Sequence, residues 1–335
     1  MMKYLENLCL LNGTSGAEAA VRDYIISQLG DVPYTVDNLG NLIVEKKGKS
    51  APRQKLMLSA HMDEVGLIVT YIQDDGALSF ATVGGIDPKA LLGKRVRING
   101  LLGVIGTAPV HLTEDDSVMP KEDEMYIDIG AKDKAEAAQY VRQGDTAVFE
   151  SEVVPFGEGF LKAKALDDRF GCAVLLDILK SDMPYDVTLC FCTMEEIGLK
   201  GAGAAANRVK PDIALVIEST TANDVCDVSG ADKVCCLGSG AVLSFMDRAT
   251  VYDRELYKTA MRVAEQNGIA AQTKTRIAGG NDAGAIQPAG EGARVLALSL
   301  PTRYIHSAVS TANTEDMKNA AALVKKLIAA FGEME

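Results

Sequence analysis

Several apolar runs of this chain end in acid or imidazole groups. Leu56–Ala60 leads into His61-Met62-Asp63-Glu64, Thr188–Thr193 into Glu195-Glu196, Ala214–Ile217 into Glu218, and Leu296–Leu300 through Pro301-Thr302-Arg303-Tyr304 to His306. Asp167 and Asp168 stand where a helical pattern begins. The chain has three histidines; His61 and His306 belong to this set and His111 does not. Taken singly, each group has an ordinary structural explanation. Asp167-Asp168 suits a helix N-cap or, with Arg169, an ion pair, and Glu195-Glu196 suits solvated acids at a helix start. Two imidazoles arriving together with carboxylates at comparable positions point to one centre, because ligands of open α/β sheets bind outside the carboxyl ends of the strands.

Carboxylates packed together repel one another and would be strongly raised in pKa unless cations neutralise them. Histidine, aspartate and glutamate suit divalent metals. With His61, Asp167, Glu196, Glu218 and His306 as ligands, three carboxylates meet two dications, and a hydroxide would cancel the remaining positive charge. One ion would not reach that balance. Asp63 lies two residues from His61, so on an extended strand both side chains point the same way. Its carboxylate can accept the second ring N–H of His61 and fix the tautomer. Glu195, beside a ligand but facing otherwise, can take a proton from the attacking water and pass it to the leaving amine. Glu64 is left as a hinge or surface acid. Zinc, cobalt and manganese all suit these ligands.

The elements that must position these groups follow from the patterning. The N-terminus reads as a helix that packs on the domain. Thr14 and Ser15 are cap candidates for a second helix ending before Gly30, and a hairpin turns at Asn38–Gly40. Between about residues 67 and 161 the character changes to short strands: a pair around Asp74-Asp75-Gly76, a hairpin at Asn99-Gly100, and two more strands separated by a short helix at Lys132 to Arg142. After Leu161, strands alternate with helices up to a final helix at Asn313 to Phe331. This predicts an α/β fold, a mainly parallel sheet flanked by helices, with an inserted small β-barrel-like domain. Residues 1–66 and 162–335 would form the catalytic domain and 67–161 the β-rich insertion.

The 335-residue chain is large enough for a sizeable core, with 47% hydrophobic and 24% charged residues. Its net charge of −12 argues against a nucleic-acid partner, which wants clustered Lys and Arg. No apolar run approaches the roughly 20 residues of a membrane span, and no cleavage site follows the N-terminal run, so a cytoplasmic protein is expected. The seven cysteines are odd in number and lack a CxxC pair, which reads as buried reduced thiols. No GxGxxG or GxxxxGK[ST] run follows a strand, so a nucleotide-binding module is a weak reading.

SAHMDEVG, ALDDRFG, TMEEIGLKGA, GGNDAGAI and PTRYIHS, in that order, resemble the glutamyl and deblocking aminopeptidases, including the tetrahedral aminopeptidases. The resemblance runs through nearly the whole chain. It implies that His61 binds one metal and His306 the other, that Asp167 bridges them, that Glu196 is a ligand, and that Glu195 is the base. It implies removal of the first residue from unfolded peptides, and homo-oligomers, often dodecamers built from dimers through the β-rich insertion. Many relatives carry Asp where this chain has Glu218, and Thr where it has Asn281; Asp282 is retained, with a supporting role. A related dinuclear amidohydrolase of deacetylase or carboxypeptidase type is the alternative enzyme. A catalytically silent, metal-stabilised assembly protein is the alternative outside catalysis, motivated by Glu218.

Overall fold

The computed structural model describes residues 1–109 and 119–335. Four strands, Val187–Cys192, Leu56–His61, Ile213–Thr221 and Arg294–Arg303, lie side by side and parallel in that order. All six residues of Leu56–His61 and of Val187–Cys192 are buried, as expected of strands covered on both faces. Antiparallel strands extend both sides. Leu42–Lys46 and Tyr34–Val36, the hairpin turning at Asn38–Gly40, continue from Val187–Cys192. Ser310–Asn313, Phe160–Ala163 and Val154–Phe156 continue from Arg294–Arg303. The Leu166–Leu179 helix packs on the central strands Leu56–His61 and Ile213–Thr221, and the Thr314–Gly332 helix packs on Arg294–Arg303. The first is buried at all but two of its positions, which explains its run Phe170 to Leu176 of small and apolar residues.

The parallel register aligns the chemistry. Cys192 pairs with His61, so the Glu195-Glu196 turn leaves the sheet beside that histidine. The pairing of Ile213–Thr221 with Leu56–His61 closes at Val216 opposite Ser59, and Glu218 and His61 each follow two residues later.

The insertion is a closed six-stranded barrel in the order Gly66–Ile72, Leu78–Val83, Met125–Asp128, Leu101–Thr107, Arg95–Ile98, Thr146–Phe149. It has its own core, which includes Leu67, Leu78, Phe80, Val96, Ile98 and Ile127. Asn99 and Gly100 turn its hairpin with positive φ of 48° and 84°, the conformation a two-residue turn of this hand requires. The barrel's last strand ends at Phe149, whereas Phe160–Ala163 pairs with the large sheet, so a boundary at residue 161 falls inside a strand of that sheet. Strand patterning alone does not tell which sheet a hairpin joins.

Two local expectations change. The helix at Lys132 to Arg142 is confined to Lys134–Ala137. Thr14 and Ser15 cap nothing: the second helix is Ala19–Leu29 with Glu18 before it, and the segment ahead is drawn to the carboxyl end of the central strand, where Glu64 donates its amide to the Gly13 carbonyl at 2.9 Å.

Candidate metal centre

His61 is fully buried at the end of its strand. Its Nδ1 lies 3.2 Å from the Asp63 carbonyl and 3.3 Å from Asp63 Oδ1, both acceptors, so Nδ1 carries the proton and Nε2 presents its lone pair. Asp63 is itself fixed: Oδ2 accepts the Ser15 hydroxyl at 2.6 Å and the Glu196 amide at 3.1 Å, and Oδ1 accepts the Glu195 amide at 3.0 Å. One carboxylate therefore ties the imidazole to the Glu195-Glu196 turn. His61 Nε2 faces Asp167 Oδ1 at 3.4 Å, Glu218 Oε2 at 3.6 Å and Glu195 Oε2 at 4.0 Å.

The second imidazole has the same design with different supports. His306 Nδ1 donates to the Gly85 carbonyl at 2.8 Å, just past the barrel strand Leu78–Val83. Its Nε2 lies 3.3 Å from Asp167 Oδ2 and 3.3 Å from Glu196 Oε2. Asp167 thus turns one oxygen to each histidine. It can do so because Asp167 and Asp168 have non-helical backbone angles at the start of the Leu166–Leu179 helix. Asp168 accepts the backbone amides of Gly171 at 2.9 Å and His61 at 3.3 Å. It braces the same strand end and also falls in a three-group set with His61 and Glu218.

These residues fit divalent cations. His61 Nε2, Asp167 Oδ1, Glu196 Oε1 and Glu218 Oε1 are buried with no hydrogen-bond partner among the described residues. Orphaned buried lone pairs converging on one point are costly unless a cation takes them. The proton affinities agree. Burial raises Glu218 and Glu195 well above the ordinary carboxylate range, and it pushes Glu196 up to about 7. Burial opposes the His306 imidazolium, yet Asp167 and Glu196 lift it to about 9. Acids that hold protons beside imidazoles that hold protons are a cluster short of positive charge. Asp282, fully buried with neither oxygen hydrogen-bonded among the described residues, is pushed up to about 7 by burial and by the charges of Asp63 and Asp167, against the pull of His61.

Glu64 is neither hinge nor surface acid. It is 3% exposed and binds Lys164 Nζ at 2.6 and 2.8 Å, Arg169 NH2 at 3.2 Å and the Gly13 amide at 3.2 Å. Arg169 pairs with Glu64 and not with Asp168, and it donates to the Leu8 carbonyl at 2.6 Å. Sequence reading passed over Lys164 and Gly85 and took Ser15 for a helix cap. A serine, a lysine and a glycine in loops carry no periodic signal, although Lys164 and Arg169 flanking Asp167-Asp168 offered a hint. His111 lies outside the described residues. All seven cysteines are free; five are buried, but Cys226 is exposed and Cys236 half-buried. A cavity of about 530 Å³ opens beside the cluster, lined in part by Asp167, Glu195, Glu196, Glu218 and His306.

Imidazoles and carboxylates gathered at the carboxyl ends of a parallel sheet, beside an open cavity, define a metal-dependent hydrolase on an α/β scaffold. The family model described as M42 glutamyl aminopeptidase matches residues 40–323, and the chain belongs to that family of peptide-hydrolysing enzymes. It is 31% identical to the lysyl aminopeptidase of Pyrococcus furiosus, over 96% of this chain and 95% of that one. An aminopeptidase of the archaeon Desulfurococcus kamchatkensis superposes with a TM-score of 0.93 at 33% identity, covering 98% of this chain and 94% of that one. The Pyrococcus horikoshii TET1 peptidase, which can assemble into a tetrahedron or a large octahedral shell, gives 0.86 at 36% identity over 97% and 98%.

Proposed function

We propose that this protein removes the N-terminal residue from peptides with two divalent ions, zinc or cobalt, held by His61 and Glu218 on one side, His306 and Glu196 on the other, and Asp167 between them. The observation that carries this is the division of Asp167: Oδ1 faces His61 at 3.4 Å and Oδ2 faces His306 at 3.3 Å, while Glu218 and Glu196 stand on opposite sides. Bound there, the ions would polarise the scissile carbonyl and make water nucleophilic near neutral pH. Glu195 takes the proton from the attacking water and delivers it to the departing amine, so the carboxylate is regenerated each turnover. Its burial, its place 4.0 Å from His61 Nε2 and its high proton affinity suit that exchange. Asp63 holds His61 in the tautomer that leaves Nε2 free. Asp168 and Asp282 support the cluster from behind.

We further propose a cytoplasmic enzyme assembled as a dodecamer built from dimers. Among the described residues no helix is long and apolar enough to cross a membrane. The barrel exposes Tyr71, Leu102, Val104 and Tyr140, apolar surface suited to contacts between subunits.

The test offers aminoacyl p-nitroanilides and N-acetyl amino acids to chelated enzyme before and after zinc or cobalt is restored. Turnover of the nitroanilides alone, only with metal, is expected. Glu195→Gln should lower kcat by about 10²–10⁴-fold while the metal content stays at two ions per chain. Turnover of the acetylated compounds alone would reject aminopeptidase action, and an undiminished Glu195→Gln rate would reject the base.

A further inference from the structure

Past the end of the Val187–Cys192 strand, four consecutive backbone amides are each taken by a buried side chain from a remote part of the chain. Thr193 donates to Asn41 Oδ1 at 2.9 Å, Met194 to Glu18 Oε1 at 3.1 Å, Glu195 to Asp63 Oδ1 at 3.0 Å and Glu196 to Asp63 Oδ2 at 3.1 Å. Asn41 and Asp63 are fully buried, and Glu18 is 5% exposed. Neither a sheet nor a helix supplies these acceptors, and an interior amide left without one is costly. Asn41 is tied in turn: its Nδ2 donates to Asp37 Oδ2 at 2.7 Å and to the Gly201 carbonyl at 2.9 Å.

Glu18 has no part in the metal centre itself. It is not among the described residues that line the cavity, and the Ala19–Leu29 helix takes no side-chain cap from it. Its Oε1 accepts the Gly16 amide at 2.9 Å as well as that of Met194, so one oxygen joins the N-terminal segment to the turn that bears Glu195. Met194 has a φ of 55°, a left-handed conformation that costs a non-glycine residue energy and persists only where its surroundings hold it. The turn has a demanding task. Glu195 Oε2 stands 4.0 Å from His61 Nε2, while the next residue puts Glu196 Oε2 3.3 Å from His306 Nε2. Adjacent side chains reach different imidazoles only if the backbone between them is fixed.

We propose that Glu18 is a positioning residue for the reaction, its carboxylate oxygen holding Met194 in the left-handed turn that presents Glu195 to the attacking water. The assignment rests on the reading of Glu195 as the general base. Glu18 acts through the backbone and supplies an acceptor at a fixed reach, so its charge is not what the turn needs. With the Met194 amide released, the turn relaxes towards an ordinary backbone conformation and carries Glu195 with it. A misplacement of about 1 Å in a reacting group costs up to about 100-fold in rate. Glu196 is drawn to its place by the cation it would bind, whereas Glu195 has no such tether, so the loss falls on the base. Glutamine at position 18 offers the same oxygen at the same reach and removes a buried charge; aspartate keeps the charge and falls one methylene short.

With the metal-loaded enzyme and its best-cleaved aminoacyl p-nitroanilide, kcat, KM and bound metal are measured for Glu18→Met, Glu18→Asp and Glu18→Gln, alone and combined with Glu195→Gln. Glu18→Met and Glu18→Asp should each lower kcat about 10- to 100-fold, with KM within about twofold and two ions per chain retained. Glu18→Gln should keep kcat within about threefold of the natural enzyme. On the Glu195→Gln background the Glu18→Met loss should vanish, because the group it positions is gone. Should Glu18→Met fail to fold, Glu18→Asp takes its place in each comparison. A kcat unmoved in Glu18→Met overturns the proposal, and so does a Glu18→Gln variant as slow as Glu18→Met, which would assign the effect to charge. Metal lost, KM raised with kcat kept, or a full Glu18→Met loss on the Glu195→Gln background likewise overturns it while leaving Glu195 as the base. An undiminished rate in Glu195→Gln alone removes the underlying reading, and this inference with it.

Discussion

At the residue scale, the centre depends on two imidazoles whose Nδ1 protons are held by different parts of the chain. Asp63 holds His61 from the same strand end, and the Gly85 carbonyl holds His306 from the rim of the barrel. Removing either ring leaves carboxylates facing one another with less to bind a cation. His61→Ala and His306→Ala should each reduce bound metal and abolish nitroanilide turnover. Elemental analysis of the purified variants checks this, and two ions retained in both would remove the core of the assignment. Glu218 brings Oε2 to 3.6 Å of His61 Nε2.

At the scale of elements, two buried or half-buried ion pairs fix the segments that bear the ligands. Glu64 joins the end of the central strand to Lys164 and Arg169, which bracket Asp167-Asp168, and to the N-terminal segment through Gly13 and Leu8. Glu64→Gln leaves two cations under-compensated in the interior, which costs about 3–5 kcal/mol. Urea unfolding should show that loss as a lower midpoint at unchanged slope. The second pair is Asp224 with Arg303, at 2.7 and 2.8 Å, where Arg303 ends the strand that leads to His306. Burial raises the Asp224 carboxyl, but Arg303 and the Leu237 amide outweigh it and hold its pKa below the ordinary 3.8. A depressed folded pKa gives stability that is present above the unfolded value and lost as pH falls through the folded one. Asp224→Asn should therefore cost about 1 kcal/mol at pH 7, Arg303 being partly exposed, and progressively less below pH 4. A melting-temperature gap that persists undiminished at pH 2 would show that the pair does not act through its charge.

At the scale of the whole molecule, the barrel does two things. Through Gly85 it completes the second histidine, and through its outer strands it presents apolar side chains to solvent. Leu102 and Val104 alternate outward on Leu101–Thr107, with Gly103 and Ile105 turned in. If this face joins subunits, light scattering should give a twelve-subunit particle, and the double substitution Leu102→Glu, Val104→Glu should yield smaller folded species. A particle of unchanged size in that variant would place the contacts elsewhere.

Much of this was legible in the chain before any coordinates. Strand types followed from apolar runs, the barrel from closely spaced hairpins, and the candidate cluster from acids and imidazoles at strand ends, because period and composition are local properties that a sequence carries openly. The tertiary structure alone decided what depends on distance between remote segments. It showed which oxygen of Asp167 meets which histidine, that Ser15 serves Asp63 and caps no helix, that Glu64 lies buried between Lys164 and Arg169, and that the 160–163 strand belongs to the large sheet. Those partners lie far apart along the chain, His306 and Asp167 by 139 residues and Phe160 and Asn313 by 153. No local pattern encodes a pairing at that separation; only the closing of the parallel sheet brings its strand ends to one point.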